Sequence, residues 1–111
     1  MRWQTFWIPG FAENDASLRH VTNQVLKTKT AHADGVVEMV VWALPKPLPV
    51  SSHAFKYRLV FVRDGQRIVG YDNERGKGDH KHLGDAQMPY RFKDIDKLVA
   101  DFIADVEKYS S

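Results

Sequence analysis

Two histidines lie close together in a glycine-rich, basic stretch of this chain, and imidazoles placed in this way can do acid–base chemistry. The stretch covers residues 71–82 and reads YDNERGKGDHKH. His80 and His82 can exchange protons near neutral pH, and a cation such as Lys77 can stabilise a developing negative charge. Cleavage of RNA without a metal needs a base, an acid and a cation over the phosphate. The residue types therefore favour a metal-independent ribonuclease site, and a solvated polar loop is the alternative.

Other chemistries fit the same stretch less well. A nucleotide-binding P-loop would need the pattern Gly-x-x-x-x-Gly-Lys-Ser/Thr before a helix, and the stretch lacks it. In an extended chain His80 and His82 would lie on one side and could share a metal, but a third ligand would have to come from elsewhere. The candidates for that ligand are Asp72, Asp101 and Asp105. The chain has no cysteine, which excludes disulfides and thiolate ligands, and we expect no metal and no cofactor.

The basic charge is concentrated in the middle of the chain. The 111 residues carry a net charge of only +2, but residues 53–82 hold seven basic and four acidic residues. This segment is therefore the part suited to an anion such as RNA. The longest apolar runs are far shorter than the roughly 18 residues of a membrane span, and the N-terminus lacks the pattern of a secretory signal. We expect a cytoplasmic protein with no membrane partner.

Strands and one helix must position the basic stretch. Residues 36–44 and 55–63 have the composition and alternation of strands, and Asp-Gly pairs at 34–35 and 64–65 predict hairpins with strands at 26–32 and 67–73. Residues 74–91 have no period, which predicts a loop. From residue 94 the apolar spacing is that of a helix of about four turns. We predict an α+β fold: an antiparallel sheet of about four strands, formed by two hairpins, with a C-terminal amphipathic helix packed on one face.

The domain organisation follows from the same pattern. We predict a single α+β domain over residues 21–111, preceded by a variable extension over residues 1–20. Counting outward from two-residue turns pairs Arg58 with Tyr71 and Lys56 with Asn73. One face of the sheet is apolar and takes the helix. The other face is left open and should carry Lys27, Lys29, Glu38, Trp42, Lys56, Arg58, Tyr71 and Asn73.

The predicted site residues fall into three groups by role. Catalytic roles are assigned to His80, His82, Lys77 and Asp79. Substrate binding is assigned to Lys56, Arg58, Tyr71, Asn73 and Arg75. Supporting roles are assigned to Asp72, Asp101 and Asp105, and a solvated helix flank is the alternative for the last two. A non-catalytic protein that binds nucleic acid or protein through the basic sheet face is the alternative function.

Several segments of the chain resemble the TumE-like family of bacterial toxin–antitoxin proteins. They are DG at 34–35, VEMVVW at 37–42, PKP at 45–47, KYRL at 56–59, YDNERGKGDHKH at 71–82, PYRF at 89–92 and DFIADV at 101–106. The resemblance covers about residues 25–109 and is most specific at 71–82, whereas residues 1–20 depart from it. It implies a small cytoplasmic toxin that is neutralised by a helix-turn-helix antitoxin, with a nuclease as the favoured activity. The expected partners are that antitoxin and RNA, and a homodimer is left open.

Overall fold

The computed structural model describes residues 23–74 and 76–110 of the chain. In chain order these residues form β1 (Asn23–His32), β2 (Gly35–Ala43), β3 (Phe55–Arg63), β4 (Gln66–Glu74), β5 (Gly78–Leu83), β6 (Ala86–Pro89) and α1 (Ile95–Ser110). The strands make one antiparallel sheet in the order β1-β2-β3-β4-β5-β6. The predicted α+β fold with one C-terminal helix is confirmed for this part of the chain, but the sheet has six strands, not about four. The predicted extension, residues 1–20, lies outside the described residues.

The two additional strands lie in the segment that was predicted to be a loop. β5 pairs with β4 along its whole length, and β6 pairs with β5 across a tight turn. β5 reads GDHKHL, and polar side chains therefore point to both faces of the sheet. Because a strand that is polar on both faces has no hydrophobic period, periodicity could not detect it. The prediction of a loop at 74–91 was wrong for this reason.

Helix α1 packs across β4 on one face of the sheet, which we call the helix face. Its buried residues are Leu98, Phe102 and Val106, which recur at the four-residue spacing of one helix side. The ring of Phe102 meets the ring of Tyr71 edge-on, with 5.7 Å between the centroids. The helix begins after Asp94, whose Oδ1 accepts a hydrogen bond of 2.7 Å from the backbone N–H of Lys97. The predicted amphipathic helix is confirmed.

The first hairpin turns one residue earlier than predicted, at residues 33–34. His32 pairs with Gly35, so Gly35 is the first residue of β2 and lies outside the turn. A Cβ atom on Gly35 would lie 2.3 Å from the carbonyl oxygen of Val62. Glycine is therefore required here by the close approach of β3. Counting from an Asp34-Gly35 turn predicts that Lys29 pairs with Val40, whereas Lys29 pairs with Glu38. Because this is a shift of two residues, the predicted faces of β1 and β2 are unchanged.

The second hairpin turns at Asp64-Gly65 as predicted, but β4 contains a β-bulge. Both turn residues have positive φ angles, 54° and 74°, as a type I′ turn requires. Phe61 pairs with Val69, but the next residue of β3, Val62, pairs with Arg67. Ile68 has no partner in β3 and is the extra residue of the bulge. Beyond Ile68, every side chain of β4 lies on the face opposite to the one that the turn count predicts.

The bulge changes which residues accompany Arg58 and Lys56 on their face of the sheet. Arg58 pairs with Asp72 and not with Tyr71. Tyr71 and Asn73 lie on the helix face, and the prediction that they belong to the open face was wrong. We call the face that carries Arg58 and Asp72 the cleft face.

The cleft face is only partly open. Glu38, Val40 and Val60 lie on it in β2 and β3, and none of them is more than 4% exposed. Burial raises the pKa of Glu38, although the charges of Lys29 and Arg58 oppose this shift. The prediction of a face open along its whole width was therefore wrong in β2 and β3. The accessible part lies toward β4 and β5.

Replacement of Phe102 tests the packing of α1 on the sheet. Phe102 is 0% exposed, so Phe102→Ala should lower the free energy of unfolding by about 3–5 kcal/mol through loss of burial and formation of a cavity. Glu107→Ala, on the exposed side of the same helix, should change it by less than about 0.5 kcal/mol. Chemical denaturation of both variants measures the difference. Similar small effects in both would show that the helix does not pack as described.

Candidate functional site

A cleft of about 310 Å³ opens on the cleft face where β3, β4 and β5 lie side by side. The charged side chains that line it are Lys56, Arg58, Arg67, Asp72, Glu74, Lys77, His80 and His82. Four of these groups are cationic and two are carboxylates, so the cleft attracts anions even when both histidines are neutral. Six of the predicted site residues come together here: His80, His82, Lys77, Lys56, Arg58 and Asp72.

Strand pairing aligns three ionisable side chains across the floor of the cleft. Asp72 of β4 is the cross-strand partner of both Arg58 in β3 and His80 in β5. The Nε2 atom of His80 lies 2.6 Å from Oδ1 of Asp72, and its Nδ1 atom lies 3.3 Å from the carbonyl oxygen of Gly78. His80 is only 6% exposed. Its ring is therefore held between a carboxylate and a carbonyl, in a strand and not in a mobile loop.

His82 follows on the same side of β5, because side chains alternate along a strand. The centroids of the two imidazole rings are 5.0 Å apart, and the ring planes are inclined by 80°. Burial lowers the pKa of His82, and the nearby charge of Arg67 lowers it further. His82 is thus biased toward the neutral form, which can accept a proton.

Arg67 is a cleft residue that the sequence analysis missed. Its side chain runs over Gly70, where a Cβ atom would lie 2.7 Å from Cδ of Arg67. Gly70 is the cross-strand partner of His82, so this path brings the arginine toward the imidazole. A glycine inside an otherwise ordinary strand indicates a close approach of another group. That signal was available in the sequence, but it does not say which group approaches.

Two lysines line the cleft in different environments. Lys56 is 8% exposed, and its Nζ donates a hydrogen bond to the backbone carbonyl of Asn73. Burial lowers the pKa of Lys56, and the charges of Asp72 and Glu74 oppose this shift. Lys77 is exposed in the turn between β4 and β5 and pairs with Glu74 at 3.5 Å. Lys77 is therefore the more accessible of the two cations. The predicted substrate-binding residue Arg75 lies outside the described residues.

Asn73 does not face the cleft, because both ends of its side-chain amide bind the neighbouring strand. Its Oδ1 accepts a hydrogen bond of 2.9 Å from the backbone N–H of Tyr57, and its Nδ2 donates one of 2.7 Å to the carbonyl of Phe55. The amide thereby continues the pairing of β3 and β4 beyond the last backbone pair. The side chain of Asn73 does not line the cleft, and its role in substrate binding stays a prediction.

Asp79, predicted to act with the histidines, lies on the helix face. Its Oδ2 accepts a hydrogen bond of 2.6 Å from the hydroxyl of Tyr57 and lies 2.7 Å from Nε2 of His53. The ring of Phe92 stacks on His53 with 3.9 Å between the centroids. The alternation of β5 therefore leaves Asp79 outside the cleft that His80 and His82 line, although Asp79 and His80 both line a second concavity along β6.

Tyr71 and the two helix aspartates also lie away from the cleft. The Tyr71 hydroxyl donates a hydrogen bond to Asp105, and the Tyr90 hydroxyl donates one of 2.7 Å to Asp101. Burial, followed by these carboxylates, raises the pKa of both tyrosines, so each stays a protonated donor. These pairs attach α1 and residue 90 to the sheet. Neither Asp101 nor Asp105 can supply the third metal ligand considered from the sequence.

Asp72 is the carboxylate that does join the histidines. One oxygen of Asp72 and one nitrogen each of His80 and His82 lie within 4.8 Å of one another. Within the described residues, these three side chains are the group of this kind that could hold a metal ion.

The amide clamp of Asn73 can be tested by mutation. Asn73→Ala should lower the free energy of unfolding by about 2–5 kcal/mol, because it leaves two buried backbone groups without partners. Gln66→Ala, at an exposed position of the same strand, is the control and should have little effect. Thermal and chemical denaturation measure both. An Asn73→Ala variant that keeps its stability but loses ligand binding would instead support the predicted role in substrate binding.

Comparison with known proteins identifies the family of the chain. No described helix is long and apolar enough to cross a membrane. No curated protein and no solved structure matches the chain. The family model described as toxin TumE matches residues 12–110, a range that includes all the described strands and the described helix and begins within the predicted extension. The chain therefore belongs to the TumE family of toxins.

Proposed function

We propose that this toxin binds RNA in the cleft and cleaves it without a metal, with His80 and His82 as the acid and the base. The observation that carries the proposal is a pair of imidazoles with ring centroids 5.0 Å apart in a cleft lined by four cations. Neutral and protonated imidazole are the two forms that transfer of the 2′-hydroxyl proton and protonation of the leaving oxygen require. The cations stabilise the charge that develops on the phosphate.

His82 is the better candidate for the base. Its pKa is lowered by burial and by Arg67, so its neutral form persists at neutral pH. His80 is the better candidate for the acid, because its two ring nitrogens face two acceptors, Asp72 and the Gly78 carbonyl. Both contacts can be hydrogen bonds only if each nitrogen carries a proton. Asp72 and the Gly78 carbonyl thereby fix the orientation of the His80 ring.

The reaction that these assignments support is transesterification within the RNA strand. His82 accepts the proton of the 2′-hydroxyl, and the 2′-oxygen forms a bond to phosphorus. The bond between phosphorus and the 5′-oxygen breaks. His80 donates its Nδ1 proton to the leaving oxygen and gives up its contact of 3.3 Å with the carbonyl of Gly78. The products are a 2′,3′-cyclic phosphate and a 5′-hydroxyl end. Proton exchange with solvent returns both imidazoles to their starting forms.

The cationic groups divide into fixed and accessible ones. Arg58 and Lys56 lie at the inner wall, where burial lowers the pKa of both side chains. Arg67 and Lys77 are exposed at the rim and can follow the RNA backbone. A second concavity of about 560 Å³ along β6 shares Lys77 and His80 with the cleft and offers room for the next nucleotide.

A toxin family implies an antitoxin in general, and we propose that the antitoxin here is a helix-turn-helix protein. We also propose that the toxin acts in the cytoplasm, where RNA is accessible. A homodimer stays a prediction.

The alternative function is a protein that binds RNA or a partner protein through the cleft without catalysis. The burial of His80, which is only 6% exposed, favours this alternative, because a buried imidazole has little access to RNA. An enzyme cleaves RNA at substoichiometric concentration, whereas a binding protein leaves the RNA intact.

Replacement of His82 tests the catalytic proposal. His82→Ala should abolish RNA cleavage and growth inhibition with little change in melting temperature, because His82 is only half-buried. In the wild type, kcat/KM should fall as the pH drops through the lowered pKa of His82, below its usual value of 6.5. His32→Ala is the matched control, because His32 contacts Ser110 and does not line the cleft. Full cleavage by His82→Ala would overturn the proposed base.

Salt dependence tests the cationic rim of the cleft. Arg67→Ala and Lys77→Ala should each weaken binding of single-stranded RNA and reduce the slope of log affinity against log salt by about 0.7, because each removes one phosphate contact. Arg63→Ala is the control, because the guanidinium of Arg63 lies 3.5 Å from the carbonyl of Ser110 at the end of α1. Fluorescence anisotropy over a range of salt concentrations measures the slopes. Equal slopes in all variants would place the RNA elsewhere on the protein.

A further inference from the structure

We propose that Asp72, His80 and His82 bind a divalent first-row transition metal such as Zn²⁺, and that this metal inhibits the toxin. The binding site itself is inferred from the geometry of the three side chains. The inhibition rests on the proposed function, because a metal that takes a nitrogen from each imidazole removes both the acid and the base.

The arrangement of the three side chains is set by the sheet. Asp72 and His80 are cross-strand partners, and His82 follows two residues later on the same face. One ligand atom from each lies within 4.8 Å of the others. Ligands of a tetrahedral zinc site are about 3.4 Å apart, given bond lengths of about 2.0–2.2 Å. Small side-chain rotations therefore suffice, and the backbone of the two strands need not move.

The surroundings of His80 match those of a metal-binding histidine. Its Nδ1 faces the carbonyl oxygen of Gly78 at 3.3 Å, and its Nε2 faces Asp72. A histidine that binds a metal through one nitrogen usually donates the N–H of the other to a carbonyl or carboxylate, which fixes its tautomer and orientation. With its Nδ1 proton directed at Gly78, Nε2 is left as the ligand atom beside the carboxylate.

The ligand chemistry selects the class of metal. Two imidazoles and one carboxylate suit zinc and its neighbours in the first transition row, whereas Mg²⁺ and Ca²⁺ prefer oxygen ligands. Three protein ligands leave a fourth position, which would face the cleft of about 310 Å³ and could take water or an anion. The cations that line the cleft oppose binding of a dication, so we expect the site to be weaker than a structural zinc site.

Binding can be measured independently of toxin activity. The full chain, freed of metal by a chelator, is titrated with Co²⁺, whose visible absorption reports its coordination, and with Zn²⁺ in competition with a chromophoric chelator. We expect one metal per chain at this site. Asp72→Asn and His82→Ala should each weaken binding about tenfold or more. His32→Ala, which removes a histidine outside the cleft, should bind as the wild type does.

Melting temperatures of the metal-free variants show whether each is folded. If His82→Ala is unstable, Asp72→Asn still tests the site, because asparagine keeps the shape of the aspartate side chain. Saturable binding that is lost in the cleft variants and kept in the control supports the site. No saturable binding, or equal affinities in all variants, overturns it.

RNA cleavage assays with and without Zn²⁺ separate the two proposals. Cleavage by the metal-free protein that is suppressed on metal binding supports both. Metal binding without any cleavage supports the site and overturns the ribonuclease. Cleavage that needs the metal supports the site, but it overturns the inhibition and the metal-independent mechanism.

Discussion

The β-bulge at Ile68 is the constraint on which the candidate site depends. It inserts one residue into β4, so the side chains from Val69 onward exchange faces relative to an uninterrupted strand. Asp72 thereby becomes the neighbour of Arg58 and His80 on the cleft face. Without the bulge, Tyr71 would lie in that position and the carboxylate would be buried against α1. A single inserted residue therefore decides whether the carboxylate of Asp72 or the phenol of Tyr71 lies beside the imidazoles of the cleft.

The sheet separates the polar groups of the molecule into two sets with different tasks. On the helix face, Tyr57 donates to Asp79, Tyr71 to Asp105 and Tyr90 to Asp101. Carboxylates that accept hydrogen bonds from such donors hold elements together and leave little capacity for a ligand. On the cleft face the carboxylate of Asp72 instead meets an imidazole and faces a cavity. Strand β5 contributes to both sets because its side chains alternate, which explains how one short polar stretch serves structure and site at once.

Much of this fold could be predicted from the sequence, and the failures have physical causes. Strand β3, the Asp64-Gly65 turn and α1 were predictable because each has a strong local signal of alternation, turn chemistry or helical spacing. The sequence also singled out His80, His82, Lys77, Lys56, Arg58 and Asp72, which line one cleft. Strand β5 was missed because it is polar on both faces. The bulge at Ile68 was missed because no residue there demands it, and its effect propagated to Tyr71 and Asn73. Arg67 was missed because its approach to His82 depends on a space above Gly70 that only the folded sheet reveals.

The charges across the cleft floor explain how Asp72, His80 and His82 can suit both proposals. Arg58, Asp72 and His80 lie in one row across three strands, with the carboxylate between two groups that can be positive. When His80 is protonated, Asp72 is balanced on both sides and the cleft as a whole stays cationic, which favours an anionic polymer and disfavours a metal ion. When His80 loses its Nε2 proton, the carboxylate and two neutral imidazoles become a ligand set. Proton and metal therefore compete for the same nitrogen, and the cations of the rim oppose the doubly charged metal more strongly than the singly charged proton.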